Sequence, residues 1–225
     1  MNTKRKVIAL LLSLMAVATY SCGSNTEESA ESSTTIEITT EKAELINDET
    51  QVQTEKTTLV SPDRKTNVRN MCWGDSKEIV KEVETGKLLE EADGILLYEV
   101  ELCGYTVNMQ LYFDKNYGLY DVYYILTDDG GVQASVMLSK YETVVKRISE
   151  SYGSSDHSVN KLSSLADYCD STAQAINLGY LAIQDKWTTA QTKVSAGITC
   201  VEYSVVSVFE FSSATFDKPA PDAGF

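Results

Sequence analysis

The clearest periodicity in the chain lies between residues 96 and 114. Leu96, Tyr98, Val100 and Leu102 alternate with Leu97, Glu99, Glu101 and Cys103, and Val107, Met109, Leu111 and Phe113 alternate with Asn108, Gln110, Tyr112 and Asp114. A period of two puts successive side chains on opposite sides of a pleated strand, so this pattern predicts two half-buried strands. Gly104-Tyr105 and Asn116-Tyr117-Gly118 fall where tight turns are needed. A third strand from about Leu119 to Thr127 completes an antiparallel meander with one face on a core and one facing water. The β pattern resumes after Lys186, where Val194, Ala196, Ile198 and Cys200 alternate and Val201, Tyr203, Val205, Phe209 and Phe211 follow.

Two helices bracket the meander. The first is expected in Trp73-Gly74-Asp75-Ser76-Lys77-Glu78-Ile79-Val80. Asp75 or Ser76 can cap its free backbone N–H groups, and Glu78 completes a capping-box-like pattern. Ile79, Val80 and Val83 give it an apolar stripe, and Gly86 is placed to end it. The second helix is capped by Ser139 in this reading. Tyr141, Val144, Val145 and Ile148 share one face of it. Lys146 and Arg147 lie toward its C-terminus, as the helix dipole favours, and Gly153 stops it.

Residues 154–161 read as a polar loop, and Asp128-Asp129-Gly130-Gly131 as a turn without the carboxylate spacing of a calcium loop. Leu162–Gln184 is open: Leu165, Ala166, Cys169, Ala173 and Ile176 fit a helix, while Leu178–Ile183 either ends it or begins a strand. The order predicts an α+β fold, an antiparallel sheet with helices packed on one face. It also admits two αβββ-like halves, although the halves show no residue-by-residue repeat.

The termini divide the chain into domains. Lys4, Arg5 and Lys6 precede Val7–Ala18, an apolar run of 12 residues interrupted by Ser13. About 20 residues are needed to span a bilayer as a helix, so residues 1–21 read as a secretory signal and not as a membrane span. Thr19-Tyr20-Ser21-Cys22-Gly23-Ser24 resembles the lipobox of bacterial lipoproteins. Thr19 and Tyr20 depart from that motif, which prefers Leu three residues before the cysteine and a small residue two before. The resemblance implies a thioether-linked lipid on Cys22, cleavage before it and acylation of the new N-terminus. The other reading is ordinary cleavage after Ala16-Val17-Ala18, releasing a soluble protein. Two or three acyl chains would give stable membrane attachment where one is marginal.

Residues 22–67 then form an acidic linker. From residue 23 it has no aromatic side chain, ten acidic residues and four basic ones. Such a composition cannot offset chain entropy and is expected to be disordered, with a reach of roughly 40 Å. The folded domain is assigned to residues 68–213, and residues 214–225 to a tail with two prolines.

Charge narrows the partners. The chain carries a formal −14. Removing the signal's three basic residues and the linker's excess of six acids leaves −11 for residues 68–225. An acidic surface of this kind is expected to bind no nucleic acid and to avoid anionic headgroups. The expected contacts are the membrane through the lipid anchor and an unknown protein or glycan.

Four cysteines remain beyond Cys22: Cys72, Cys103, Cys169 and Cys200. An even number in an exported chain permits two disulfides, in any of three pairings. They can equally serve as small buried apolar groups. Their spacing is too wide for a zinc or thioredoxin-like motif, so no metal site is expected. No cofactor motif is present, neither a P-loop nor G-x-G-x-x-G.

The lone histidine, His157, falls in the polar loop beside Ser154, Ser155 and Asp156, where it is expected to be solvated and not catalytic. No catalytic residue is assigned. Trp73, Tyr112 and Trp187 are the candidate binding aromatics, each weighed against simple core packing.

Two resemblances complete the reading. The Trp73–Val80 start, the Tyr-rich strands, the helix ending at Tyr152-Gly153 and the late Trp187 strand resemble a group of uncharacterised extracytoplasmic lipoproteins of Firmicutes type. The opening is also similar to the helix start of β-lactamase-inhibitor-like folds and of the small lipoprotein of the outer-membrane barrel-assembly machinery. Those folds bind proteins through an exposed sheet face, and the resemblance implies a non-catalytic binding module. The alternative is an envelope hydrolase or glycan-processing enzyme, which would need two carboxylates about 5 to 9.5 Å apart in a cleft.

Overall fold

The computed structural model describes residues 65–127 and 133–216. The signal, Cys22, most of the linker, the Asp128–Gly131 turn and residues 217–225 lie outside the described residues. The described fold is α+β, with an eight-stranded, wholly antiparallel sheet. Helix α1 (Lys77–Val83) is followed by β1 (Lys87–Ala92), β2 (Ile95–Leu102), β3 (Tyr105–Asp114) and β4 (Gly118–Thr127). Helix α2 (Ala134–Tyr152) leads to β5 (Asp156–Lys161), a 3-10 helix (Ser164–Tyr168), helix α3 (Thr172–Asn177), β6 (Leu181–Thr188), β7 (Thr192–Val201) and β8 (Ser204–Ser213). The strand order is β1-β2-β3-β4-β8-β7-β6-β5. Each half is therefore a helix followed by a four-stranded meander, and the two meanders meet at β4 and β8. Both sheet edges, β1 and β5, are strands that the hydrophobic pattern leaves unmarked.

The register fixes which residues share a face. Leu96, Leu111, Val122, Phe211, Val194 and Trp187 form one row across the sheet. Tyr98, Met109, Tyr124, Phe209, Ala196 and Asp185 form the next row on that face. Every one of these side chains is buried. Burying aromatic and branched residues of this size at about 25 cal/mol per Å2 supplies most of the drive to fold.

Helix contacts reach this same set. The Tyr141 hydroxyl of α2 donates to Asp185 Oδ2 at 2.7 Å and to the Ala196 carbonyl at 3.3 Å. Trp187 Nε1 donates to the Gly153 carbonyl at 3.0 Å. Lys81 of α1 pairs with Glu91, whose register partner is Leu96.

Local chemistry differs from expectation at several points. Ser76 is the cap of α1, its Oγ accepting from the Ile79 amide at 3.4 Å, while the Asp75 carboxylate turns back to the Cys72 amide at 2.7 Å. The helix ends at Glu84, not Gly86. Gly86 answers a different demand: a Cβ there would sit 2.4 Å from Val100 Cγ1, so only a glycine allows the chain to approach β2. Glu84 is buried and bonded by Arg69 through Nε at 2.9 Å and Nη2 at 3.1 Å, and by the Gly86 amide at 2.8 Å. A buried carboxylate is tolerable only with this many donors.

Helix α2 starts at Ala134, five residues before Ser139, because Ala134 and Met137 extend the buried stripe of Tyr141, Val144 and Ile148. The expected loop at 154–161 is edge strand β5, paired to β6 from Asp156 to Lys161. The open stretch 162–184 resolves into the 3-10 helix, α3 and the first half of β6.

Candidate binding face

One residue along from the core rows, the same strands carry a different population. Leu97, Gln110, Tyr123, Glu210, Ser195 and Lys186 lie in register on the opposite face, and beside them run Tyr112, Asp121, Ser212 and Lys193. Three central strands thus place two phenols, two carboxylates and a carboxamide side by side. Tyr123 Oη donates to Glu210 Oε1 at 2.8 Å and lies 3.5 Å from Asp121 Oδ2. Tyr112 Oη donates to Gln110 Oε1 at 2.9 Å. The two rings meet edge to face with centroids 5.4 Å apart, a favoured aromatic geometry. Asp121 is 3%, Tyr123 4% and Gln110 9% exposed, while Tyr112, Glu210 and Ser212 are half-buried.

The electrostatics keep both phenols protonated. Burial, then the neighbouring Tyr120 and Asp121, pushes Tyr112 up to about 12. Burial, then Glu210 and Asp121, pushes Tyr123 far above the ordinary tyrosine value. These hydroxyls therefore serve as donors and do not act as bases at neutral pH.

The Asp121–Glu210 pair has the composition a glycan hydrolase would use, but the Tyr123 hydroxyl fills the gap between the two carboxylates. Neither described cavity is lined by the pair. One, of about 360 Å3, lies between the start of α1 and the β3–β4 turn, and the other, of about 320 Å3, lies between the starts of α2 and α3.

The sequence candidates separate in space. Tyr112 belongs to the polar face. Trp187 is a buried core residue on the other face. Trp73 is half-buried, and its Nε1 donates to Thr192 Oγ1 at 3.0 Å, fastening the N-terminal segment to the β6–β7 turn. Cys103 is exposed in the β2–β3 turn, Cys169 follows the 3-10 helix with Sγ on the Leu165 carbonyl at 3.6 Å, and Cys200 lies near the end of β7. Cys72 Sγ donates to the Lys65 carbonyl at 3.3 Å. Partial desolvation raises the thiol pKa of Cys200, and also that of Cys103 despite its exposed position.

His157 is not a loop residue. It stands on β5, and its Nδ1 is 2.9 Å from Asp185 Oδ1. Ser155 Oγ donates to that same oxygen at 2.7 Å. Serine and histidine both terminate on the carboxylate, so no proton relay runs from Ser155 through His157.

Sequence reasoning missed Asp121 and Glu210. Their signal was a charged residue inside an otherwise apolar strand: Asp121 within Leu119–Leu126, and Glu210 between Phe209 and Phe211. Among the described residues no group of His, Cys, Asp and Glu is arranged to hold a metal ion, and no helix is long and apolar enough to cross a membrane. No family model, curated protein or solved structure matches this chain.

Proposed function

We propose that this chain is a non-catalytic binding module held outside the cytoplasm by a lipid on Cys22. In this reading the helices pack on one face of the sheet, and the opposite face meets a protein or glycan partner around Tyr112 and Glu210. The observation that carries the reading is the asymmetry of β3, β4 and β8. On one side they present Met109, Tyr124 and Phe209 to the core, and on the other Gln110, Tyr123 and Glu210. A sheet face that served only as core would gain nothing from two carboxylates and two hydrogen-bonded phenols. The half-buried Tyr112, Glu210, Ser195 and Ser212 combine aromatic area with donors and acceptors, the mixture that recognition surfaces favour.

Two experiments test it. A photo-crosslinking amino acid at Tyr112 in the whole chain, expressed in its native cells, is expected to yield a discrete adduct. The same group at Leu88, exposed on edge strand β1, is expected to yield none. Equal labelling from both positions, or none from Tyr112, overturns the face assignment. The anchor is tested by metabolic labelling with a fatty-acid analogue, which is expected to mark the wild-type chain and to be lost in Cys22→Ser.

A further inference from the structure

The register shows that the sheet has two dissimilar ends. Residues near both ends of the described chain meet one of them. Asn67 bonds to Gln191 in the β6–β7 turn, and the Phe216 ring stacks on Tyr117 and Tyr120 beside the β3–β4 turn. The other end holds the β7–β8 turn and the connection from β5 to β6. There, Leu162, Leu165, Tyr168, Leu178 and Tyr203 are all exposed.

This exposure is built into the fold. In a 3-10 helix, residues three apart share a side. Ala166 and Cys169 take the inner side and pack on the core, so Leu165 and Tyr168 are turned outward, Tyr168 to 85% exposure. Leu162 is tied to the adjoining segment by its amide on the Tyr180 carbonyl at 2.8 Å. Tyr203 is the sharper case. Glu202 and Tyr203 form a two-residue hairpin turn closed by Val201 and Ser204, with φ of 48° and 67°. Such turns favour Asn-Gly because both residues need positive φ. The β2–β3 turn at the same end of the sheet meets that demand with a glycine, Cys103-Gly104 at 53° and 81°. The β7–β8 turn instead holds a tyrosine in the strained conformation and leaves it fully exposed, at 101%.

We infer that this end is a second docking surface, for a polypeptide segment whose apolar side chains are flanked by lysine or arginine. These five side chains together expose an apolar area on the order of 500 Å2, within the range of the largest patches on monomers, which are often functional. Charge selects the occupant. Asp167, Asp170 and Glu202 neighbour these residues in the chain, and with Asp167 paired to Lys161 the acidic fringe is Asp170 and Glu202. Residues 68–225 carry −11, which repels a second copy of this chain and an anionic membrane but attracts a basic rim. The surface is separate from the Tyr112 face and does not rest on that reading.

The test uses the full chain with a fluorescent amphipathic Leu/Lys helix as probe, read by anisotropy. Its Leu/Glu counterpart, phosphatidylcholine vesicles and sedimentation of the chain alone complete the set. The Leu/Lys peptide is expected to bind. Leu165→Ser with Tyr168→Ser is expected to weaken it about tenfold, and Tyr112→Ser to leave it unchanged. Glu202→Asn with Tyr203→Gly discriminates further: it relieves the turn, so the thermal midpoint is expected to rise while probe affinity falls. Equal binding of the Leu/Glu peptide, undiminished binding by the Leu165→Ser/Tyr168→Ser variant, or loss of binding in Tyr112→Ser overturns the inference. So does vesicle binding or self-association that the Leu165→Ser/Tyr168→Ser variant abolishes.

Discussion

Tyr123 and Tyr124 are neighbours in sequence, both almost wholly buried, and they live in different chemistry. Tyr124 points into the core, edge-on to Phe211 with centroids 5.7 Å apart. Tyr123 points the other way, gives its hydrogen to Glu210 and leans on Tyr112. The contrast is local: around Tyr123 the face is fastened by hydrogen bonds among its own side chains, while two residues further along that same face Ile125 and Val208 are buried by apolar packing like the core rows. Area removed from water accumulates with every methylene, whereas a hydrogen bond largely replaces one made to water. The polar face is therefore expected to matter less to stability than its burial suggests.

The comparison can be broken by mutation, beginning with the largest effect. Phe209→Ala removes a fully buried ring at the middle of the core face and is expected to cost about 3–5 kcal/mol in a urea titration. Tyr141→Phe keeps the ring and deletes the hydroxyl on Asp185, leaving a buried carboxylate with one donor fewer. About 2 kcal/mol is expected, as for bonds to charged groups. Tyr123→Phe makes the equivalent deletion on the polar face. It is expected to cost about 1 kcal/mol, because Glu210 is half-buried and water can replace the lost donor. Should Tyr123→Phe prove as damaging as Phe209→Ala, the polar face would be a second core.

A pH series sharpens the same point. Tyr112 is pushed up to about 12 in the folded chain, mainly by burial, against a value near 10 when unfolded. The folded state holds this proton more tightly, so the contribution is complete below about pH 10 and is lost as pH rises toward 12. Tyr112→Phe is expected to flatten that part of the alkaline fall in urea midpoint, while Tyr123, Tyr124 and Tyr141 sustain the rest. The smallest effect is expected at the rim of the polar face. Lys87→Ala removes an exposed pair with Glu99 at 3.5 Å and is expected to change stability by less than about 0.5 kcal/mol.

Legibility in the sequence follows the same division. β2 and β3 announce themselves because one of their faces is buried and the other is partly open, so alternation survives. β5 gives no signal, since all six of its residues are exposed and its place is set by pairing with β6. β1 hides for a related reason: Lys-Leu-Leu-Glu-Glu-Ala favours helix in isolation, and tertiary pairing overrides that preference. Of the polar face, only Tyr112 was singled out beforehand. Asp121, Tyr123 and Glu210 lie on strands buried on both faces, where alternation between core and solvent disappears. The Asp185 cluster is invisible in the sequence because its donors come from α2 (Tyr141), the α2–β5 connection (Ser155) and β5 (His157).

The order of the strands has a consequence for biogenesis. β8, formed by residues Ser204–Ser213, sits at the centre of the sheet against β4, which ends at Thr127. A polypeptide that emerges from its N-terminus first must hold the open side of β4 in reserve until nearly the whole chain has been delivered. Contacts of such long sequence separation form slowly and leave a sticky strand border uncovered meanwhile. Losing even the last dozen described residues would therefore leave two unjoined half-sheets, and quality-control proteases should find truncated chains far more readily than point variants.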